Sequence, residues 1–274
     1  MTKRQGVSTL GAMELKEIVD CRRYIDGPKY ESTVALCRRS IRDTGCAVLE
    51  RFVREVALND MLDEANAAAA SAYRRDFMLT AYGPEEAVGD KRHPTRRTSP
   101  YRMSVSAGDR FAPERALSTL HRNPTFIQLI AEILGEKNLF PLSDPLLGLA
   151  VSYLTDGDEH GWHFDRNDFV VSLALQEPEH GGEFQYAPYV RSSQDPNFRA
   201  IERLMDGDIS MLQSVRPQPG TLSLFCGKRA LHRVSTVRGK KSRVMALLSY
   251  DREPNVLHDE ETQLRAVGRT TARA

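Results

Sequence analysis

Apolar residues recur at two different intervals along this chain, and the interval changes near residue 141. Between Glu31 and Arg42, Val34, Leu36, Cys37 and Ile41 fall at near-helical spacing. Gly45 then opens a short apolar run, Cys46 to Leu49, ahead of Phe52, so this stretch predicts helix, turn and strand. From Arg54 to Phe77 the helical interval returns with Leu58, Leu62, Ala65, Ala69 and Tyr73, reinforced by the alanines at 67–70. A third helix is predicted over Pro124–Leu134, with proline in its first turn and Gly135 as its stop. Gly83 to Pro113 is rich in glycine, proline and arginine and reads as a long surface loop or lid. Of its clustered Arg92, Arg96, Arg97 and Arg102, Arg97 is carried forward as a candidate to hold a substrate carboxylate, against the plainer reading of a solvated basic loop.

From Pro141 onward the runs shorten. Leu147–Leu154, Phe169–Leu175, Glu183–Tyr186, Thr221–Phe225 and Val244–Tyr250 are rich in branched or aromatic residues and divided by glycine and proline turns, which predicts a β sandwich or barrel. The polar insertion 191–215 predicts a short helix outside the sheet, and the basic stretch after Asp251 a partly disordered tail. One domain is expected: a helical N-terminal part with the lid loop over 1–141, the β core over 142–251, and a polar tail over 252–274. No internal repeat is visible.

Composition narrows the function classes. The 274 residues are 41% hydrophobic and 27% charged, ample for a core, and the formal net charge of +1 supplies no field that would draw nucleic acid or a membrane surface. A small-molecule partner is therefore expected, with a homodimer left open. The charged N-terminus lacks a signal-peptide core and no segment has the apolar length of a membrane span, so the expected location is cytoplasmic. Four cysteines without CxxC spacing indicate neither a disulfide framework nor a zinc site.

The chemistry concentrates between His160 and Arg243. His163 and Asp165 are two apart, so an extended backbone projects both to one face while Trp162 and Phe164 turn into packing. Pro219 and Gly220 lead into the strand Thr221–Phe225, a turn follows at Gly227, and His232 comes next within Leu-His-Arg-Val. Two imidazoles and one carboxylate on a triangular face of an octahedron leave three positions open, which suits non-haem Fe(II) and its work with O2. Arg243 opens the apolar run Val-Met-Ala-Leu-Leu-Ser-Tyr, and a buried guanidinium there calls for an anion, such as a dicarboxylate cosubstrate.

His-x-Asp, the distal His and the following Arg resemble the Fe(II)- and 2-oxoglutarate-dependent dioxygenases over roughly Leu142 to Asp251. The motifs His-Gly-Trp-His-Phe-Asp, Gly-Gly-Glu-Phe at 181–184 and Pro-Gly-Thr-Leu-Ser-Leu-Phe are most similar to the bacterial branch of amino acid hydroxylases and free amino acid halogenases. The resemblance implies a mainly β core with helices, a double-stranded β-helix (jelly roll, cupin-like) with N-terminal helices packed on it. It implies His163, Asp165 and His232 as iron ligands, Arg243 as the clamp on 2-oxoglutarate, and oxygenation with release of succinate and CO2. Halogenases of this type carry glycine or alanine at the carboxylate ligand; this chain keeps Asp165, which points to hydroxylation of an unactivated carbon, of a free amino acid or derivative. Desaturation, cyclisation, or a cupin-like metal enzyme not using 2-oxoglutarate are the alternatives. The resemblance also places His160 near a substrate carboxylate. Arg166 suits an anionic substrate group or a surface ion pair, and Tyr153 a hydrogen bond to the cosubstrate or a place in the core.

Overall fold

The computed structural model of the chain describes residues 13–82 and 87–272. The first twelve residues, the start of the expected lid at 83–86, and the last two residues of the tail lie outside the described residues.

Two short helical turns, α1 (Leu15–Ile18) and α2 (Cys21–Tyr24), precede α3 (Tyr30–Thr44), which Gly45 ends in the left-handed conformation at φ 74° before β1 (Cys46–Leu49). Helix α4 (Glu55–Ala69) follows, and α5 (Ala116–Arg122) leads into α6 (Pro124–Leu134). Gly135 closes α6 at φ 74°, as the sequence predicts, and the Asn123 side chain caps its start by accepting from the amides of Thr125 and Phe126. These helices pack on one face of a sheet through Ala57, Met61, Leu117, Phe126, Leu129 and Ile133, joined by Phe52 from the link between β1 and α4, all fully buried or nearly so.

The helix predicted over Arg54–Phe77 stops eight residues early. Residues Tyr73–Thr80 form a strand, β2, paired in register with β3 (Thr98–Ala107) from Tyr73↔Val105 to Thr80↔Thr98. The expected lid 83–113 therefore contains a ten-residue strand inside the sheet. Its alternation of Tyr101, Met103 and Val105 with Arg102, Ser104 and Ser106 is a β period that the surrounding prolines and arginines conceal.

Later strands are β4 (Phe140–Pro141), β5 (Leu149–Leu154), β6 (Glu159–His163), β7 (Val170–Gln176), β8 (Phe184–Ala187), β9 (Gln213–Val215), β10 (Leu222–Phe225), β11 (Leu231–Val234), β12 (Arg243–Leu248) and β13 (Tyr250–Asp251). Helix α7 (Phe198–Met205) lies in the insertion before β9, and β4 pairs with β13 apart from the main sheet. The main sheet runs β1-β10-β7-β12-β5-β3-β6-β11-β8-β9, with β2 on β3 and every pairing antiparallel. One edge of β3 pairs with β5 at Ser104–Ala107 and with β6 at Tyr101–Arg102, so the sheet divides there into two halves. This is the jelly-roll arrangement expected from the sequence.

Both faces of the β12 half are covered, which explains its continuous apolar runs. Val244, Ala246 and Leu248 join the helical core, while Arg243, Met245 and Leu247 line a cavity between the two halves. Residues 252–272 are not a loose tail. Helix α8 (Glu260–Val267) is capped by Asp259 and docks on β2 and β3. Asp144, 3% exposed, holds it by accepting from the His258 amide and Gln263 Nε2 while capping Leu146 and Leu147.

Candidate active site

Ladder register brings the two distant histidines together. His163 closes β6 and His232 sits on β11, and the two are direct cross-strand partners with ring centroids 3.9 Å apart. Each Nδ1 faces a carbonyl two residues back, Gly161 O at 2.8 Å and Ala230 O at 2.9 Å. A carbonyl only accepts, so Nδ1 carries a proton and Nε2 is the nitrogen left to face a metal. Both Nε2 atoms point at Asp165 Oδ1, at 3.8 Å from His163 and 3.4 Å from His232.

These three side chains form the one group of His, Cys, Asp or Glu among the described residues whose ligand atoms all lie within 4.8 Å of one another. Burial, and next the neighbouring His232, push His163 down to about 3, with Asp165 opposing, so its imidazole is neutral. Burial pushes Asp165 up, but the neighbouring His232, and next His163, outweigh it and hold the carboxyl below its usual range. Two imidazoles and a carboxylate are a donor set that fits a divalent first-row cation.

The group opens onto a cavity of about 250 Å³. Arg243, 8% exposed, lines it from the start of β12, its stem packed over Gly182. Burial pushes its guanidinium down to about 10, and among the described residues it makes no hydrogen bond or ion pair. A buried cation without an acid is costly, so the site fits a ligand that brings its own carboxylate.

His160 also faces the cavity. Its ring stacks on His163 at 3.6 Å and meets Tyr101 edge-on at 4.1 Å, and its buried Nε2 has no partner. Burial, then the nearby His163 and His232, push its pKa far down, leaving a neutral group with an unused polar atom.

Three sequence candidates lie elsewhere or outside the metal end. Tyr153 is on the opposite face of β5 from the cavity-lining Ser152 and Leu154, and its hydroxyl donates to Ala65 O at 2.6 Å within the helical core. The period-two alternation decides against the cosubstrate contact. Arg97 pairs with Asp206 at 2.8 Å and donates to Met205 O, pinning the end of α7 rather than reaching the cavity. Arg166 is exposed and borders an outer vestibule of about 170 Å³ with Phe77, Leu79, Thr262 and Arg265.

Arg75 is the residue that sequence reasoning missed. It lines both the cavity and the vestibule from β2. Its Nη1 donates to Tyr101 Oη at 2.6 Å and its Nε to Ala266 O at 2.7 Å, and neither of these partners is an acid. The signal was the alternation Arg75, Phe77, Leu79, hidden while this segment read as helix.

A model of the family described as Halogenase D matches residues 30–266. The chain belongs to the Halogenase D family. Solved structures with similar folds include a 2OG-Fe(II) oxygenase family oxidoreductase from Burkholderia pseudomallei, 16% identical at TM-score 0.51, covering 81% of this chain and 92% of that one. The non-heme alpha-ketoglutarate-dependent epimerase SnoN from nogalamycin biosynthesis is 14% identical at TM-score 0.57, covering 80% and 81%. The carbocyclase SnoK from the same biosynthesis is 11% identical at TM-score 0.54, covering 87% and 93%. At these identities the likeness concerns the fold. A search of curated proteins returned no match. Within the Halogenase D family, this member has a carboxylate, Asp165, facing both histidines. No helix among the described residues is long and apolar enough to cross a membrane.

Proposed function

We propose that the protein is an Fe(II)- and 2-oxoglutarate-dependent oxygenase that hydroxylates an unactivated carbon of a small molecule, an amino acid or close derivative. The observation that carries it is the pairing of one three-ligand group with one buried, acid-free guanidinium across a single cavity. His163, Asp165 and His232 would hold the iron, and Arg243 the distal carboxylate of 2-oxoglutarate. When bound, that pair supplies the oxidising power, with O2 consumed and succinate and CO2 released.

The chain's own residues do the rest. The carbonyls of Gly161 and Ala230 fix both imidazole tautomers, so each Nε2 is the nitrogen turned toward the metal position. Met103, Val105, Leu154, Phe184, Phe225 and Met245 line the cavity with apolar surface that keeps bulk water from the reacting carbon. Arg75 and the neutral His160, joined through Tyr101, form a polar end able to receive a substrate carboxylate and fix which carbon faces the metal. Asp165 supports hydroxylation over halogenation, because the chain itself fills the place where the resembling halogenases carry glycine or alanine.

Anaerobic addition of Fe(II) and 2-oxoglutarate should give a weak visible charge-transfer band, absent from His163→Ala and His232→Ala, with at least ~100-fold loss of turnover in each, beyond the range seen for outer-shell changes. A band that survives both substitutions contradicts the ligand assignment. Turnover persisting without the keto acid would favour a metal enzyme of the cupin kind.

A further inference from the structure

We propose that Gly227 is a positioning residue: the side chain it lacks is the space in which the Asp165 carboxylate sits. The inference rests on Asp165 being a metal ligand, as proposed above. Gly227 lies in the turn between β10 and β11. A Cβ built there would stand 1.7 Å from Asp165 Oδ2, 2.5 Å from its Cγ and 2.9 Å from its Cβ, and these are the three nearest atoms.

Rotating the carboxylate relieves only part of this overlap. The Asp165 Cβ does not move with its own χ1, so at 2.9 Å the two backbones must also separate. They are tied together by the Asp165 amide donating to Gly227 O at 3.2 Å, and the chain just before Asp165 is itself held elsewhere, the Phe164 amide donating to Ala81 O at 3.0 Å. The backbone of Gly227 lies outside the left-handed region, unlike that of Gly182 at φ +65°, so its conformation alone admits alanine. The obstacle is Asp165. A side chain at 227 and a carboxylate at 165 therefore exclude each other, and Gly227 determines whether the chain can supply its own third ligand.

The test uses the full chain, Mn(II) titrated by calorimetry, and thermal unfolding of the metal-free protein. Gly227→Ala should weaken Mn(II) binding roughly 10–100-fold, the range for changes that misplace a ligand, and should lower Tm. Asp165→Gly/Gly227→Ala should unfold at the same temperature as Asp165→Gly, because removing the carboxylate removes the overlap. A purely structural glycine would lower Tm equally in both backgrounds, and that result overturns the proposal. So does unchanged Mn(II) affinity in Gly227→Ala while wild type binds. If Gly227→Ala aggregates, a folded double variant supports the overlap, whereas failure of both to fold contradicts it. Wild type that binds no Mn(II) overturns the ligand assignment itself.

Discussion

The metal-facing end of the cavity and its outer end are built by different means. At the first, two histidines are placed by the ladder between β6 and β11, and each ring is oriented by the backbone carbonyl two residues before it. At the second, Arg75 from β2, Tyr101 from β3 and the terminal turn of α8 meet through side-chain contacts between segments as many as 191 residues apart. The backbone holds the first end and tertiary docking holds the second. On the proposed function, this difference would put the reaction chemistry in the rigid end and substrate choice in the end that substitutions most easily reshape.

Arg243→Met should break the rigid end most strongly short of removing a ligand. Loss of a buried charge partner costs about 2–5 kcal/mol of cosubstrate binding, read as a rise in KM for 2-oxoglutarate. The metal-free protein should be as stable as wild type or more so, because the variant removes a buried cation that no acid compensates. Thermal unfolding and steady-state kinetics on one preparation check both halves.

Arg75→Gln should strike the outer end instead. A hydrogen bond to a charged group contributes about 1.5–3 kcal/mol, so KM for the main substrate should rise about tenfold to a hundredfold. Succinate formation in the absence of that substrate should be retained. Equal losses in cosubstrate and substrate binding would erase the division between the two ends.

Asp144→Asn tests whether α8 is fastened as described. Burial pushes the Asp144 carboxyl up, but hydrogen bonds from Gln263 and the amides of Leu146, His258 and Leu147 outweigh it and hold it below the usual range. A carboxyl lowered on folding stabilises the protein above its ordinary value and ceases to do so as pH falls through the lowered one. Wild type should thus exceed the variant by about 1–3 kcal/mol near neutral pH, and the gap should close in acid, as followed by denaturant unfolding at stepped pH.

The clustering of His163, Asp165 and His232 was legible because it depends on short spacing and strand alternation. His163 and Asp165 are two apart, and the runs around His232 and Arg243 carry their own glycine and proline punctuation. The limits follow from the same physics. Tyr153 and Arg243 lie on neighbouring strands, with Arg243 opposite Leu154 and Val244 opposite Tyr153, so which of them faces the cavity depends on register. Arg97 and Arg75 are both arginines near apolar residues, and only the β2–β3 hairpin puts one in the cavity and the other on α7. Helix propensity across the alanines at 67–70 masked where α4 gives way to β2, and the polar 252–274 composition masked a helix that Asp144 anchors from 114 residues away. Tyr153→Phe should accordingly cost only about 1 kcal/mol of stability and leave 2-oxoglutarate affinity unchanged, the smallest effect of the series.

The most direct measurement is anomalous diffraction from crystals grown anaerobically with Fe(II) and 2-oxoglutarate. The expected result is a single strong iron peak about 2 Å from His163 Nε2, His232 Nε2 and an Asp165 oxygen, with the far carboxylate of the diacid against Arg243. An iron peak elsewhere, or a diacid lying away from that guanidinium, would contradict the account.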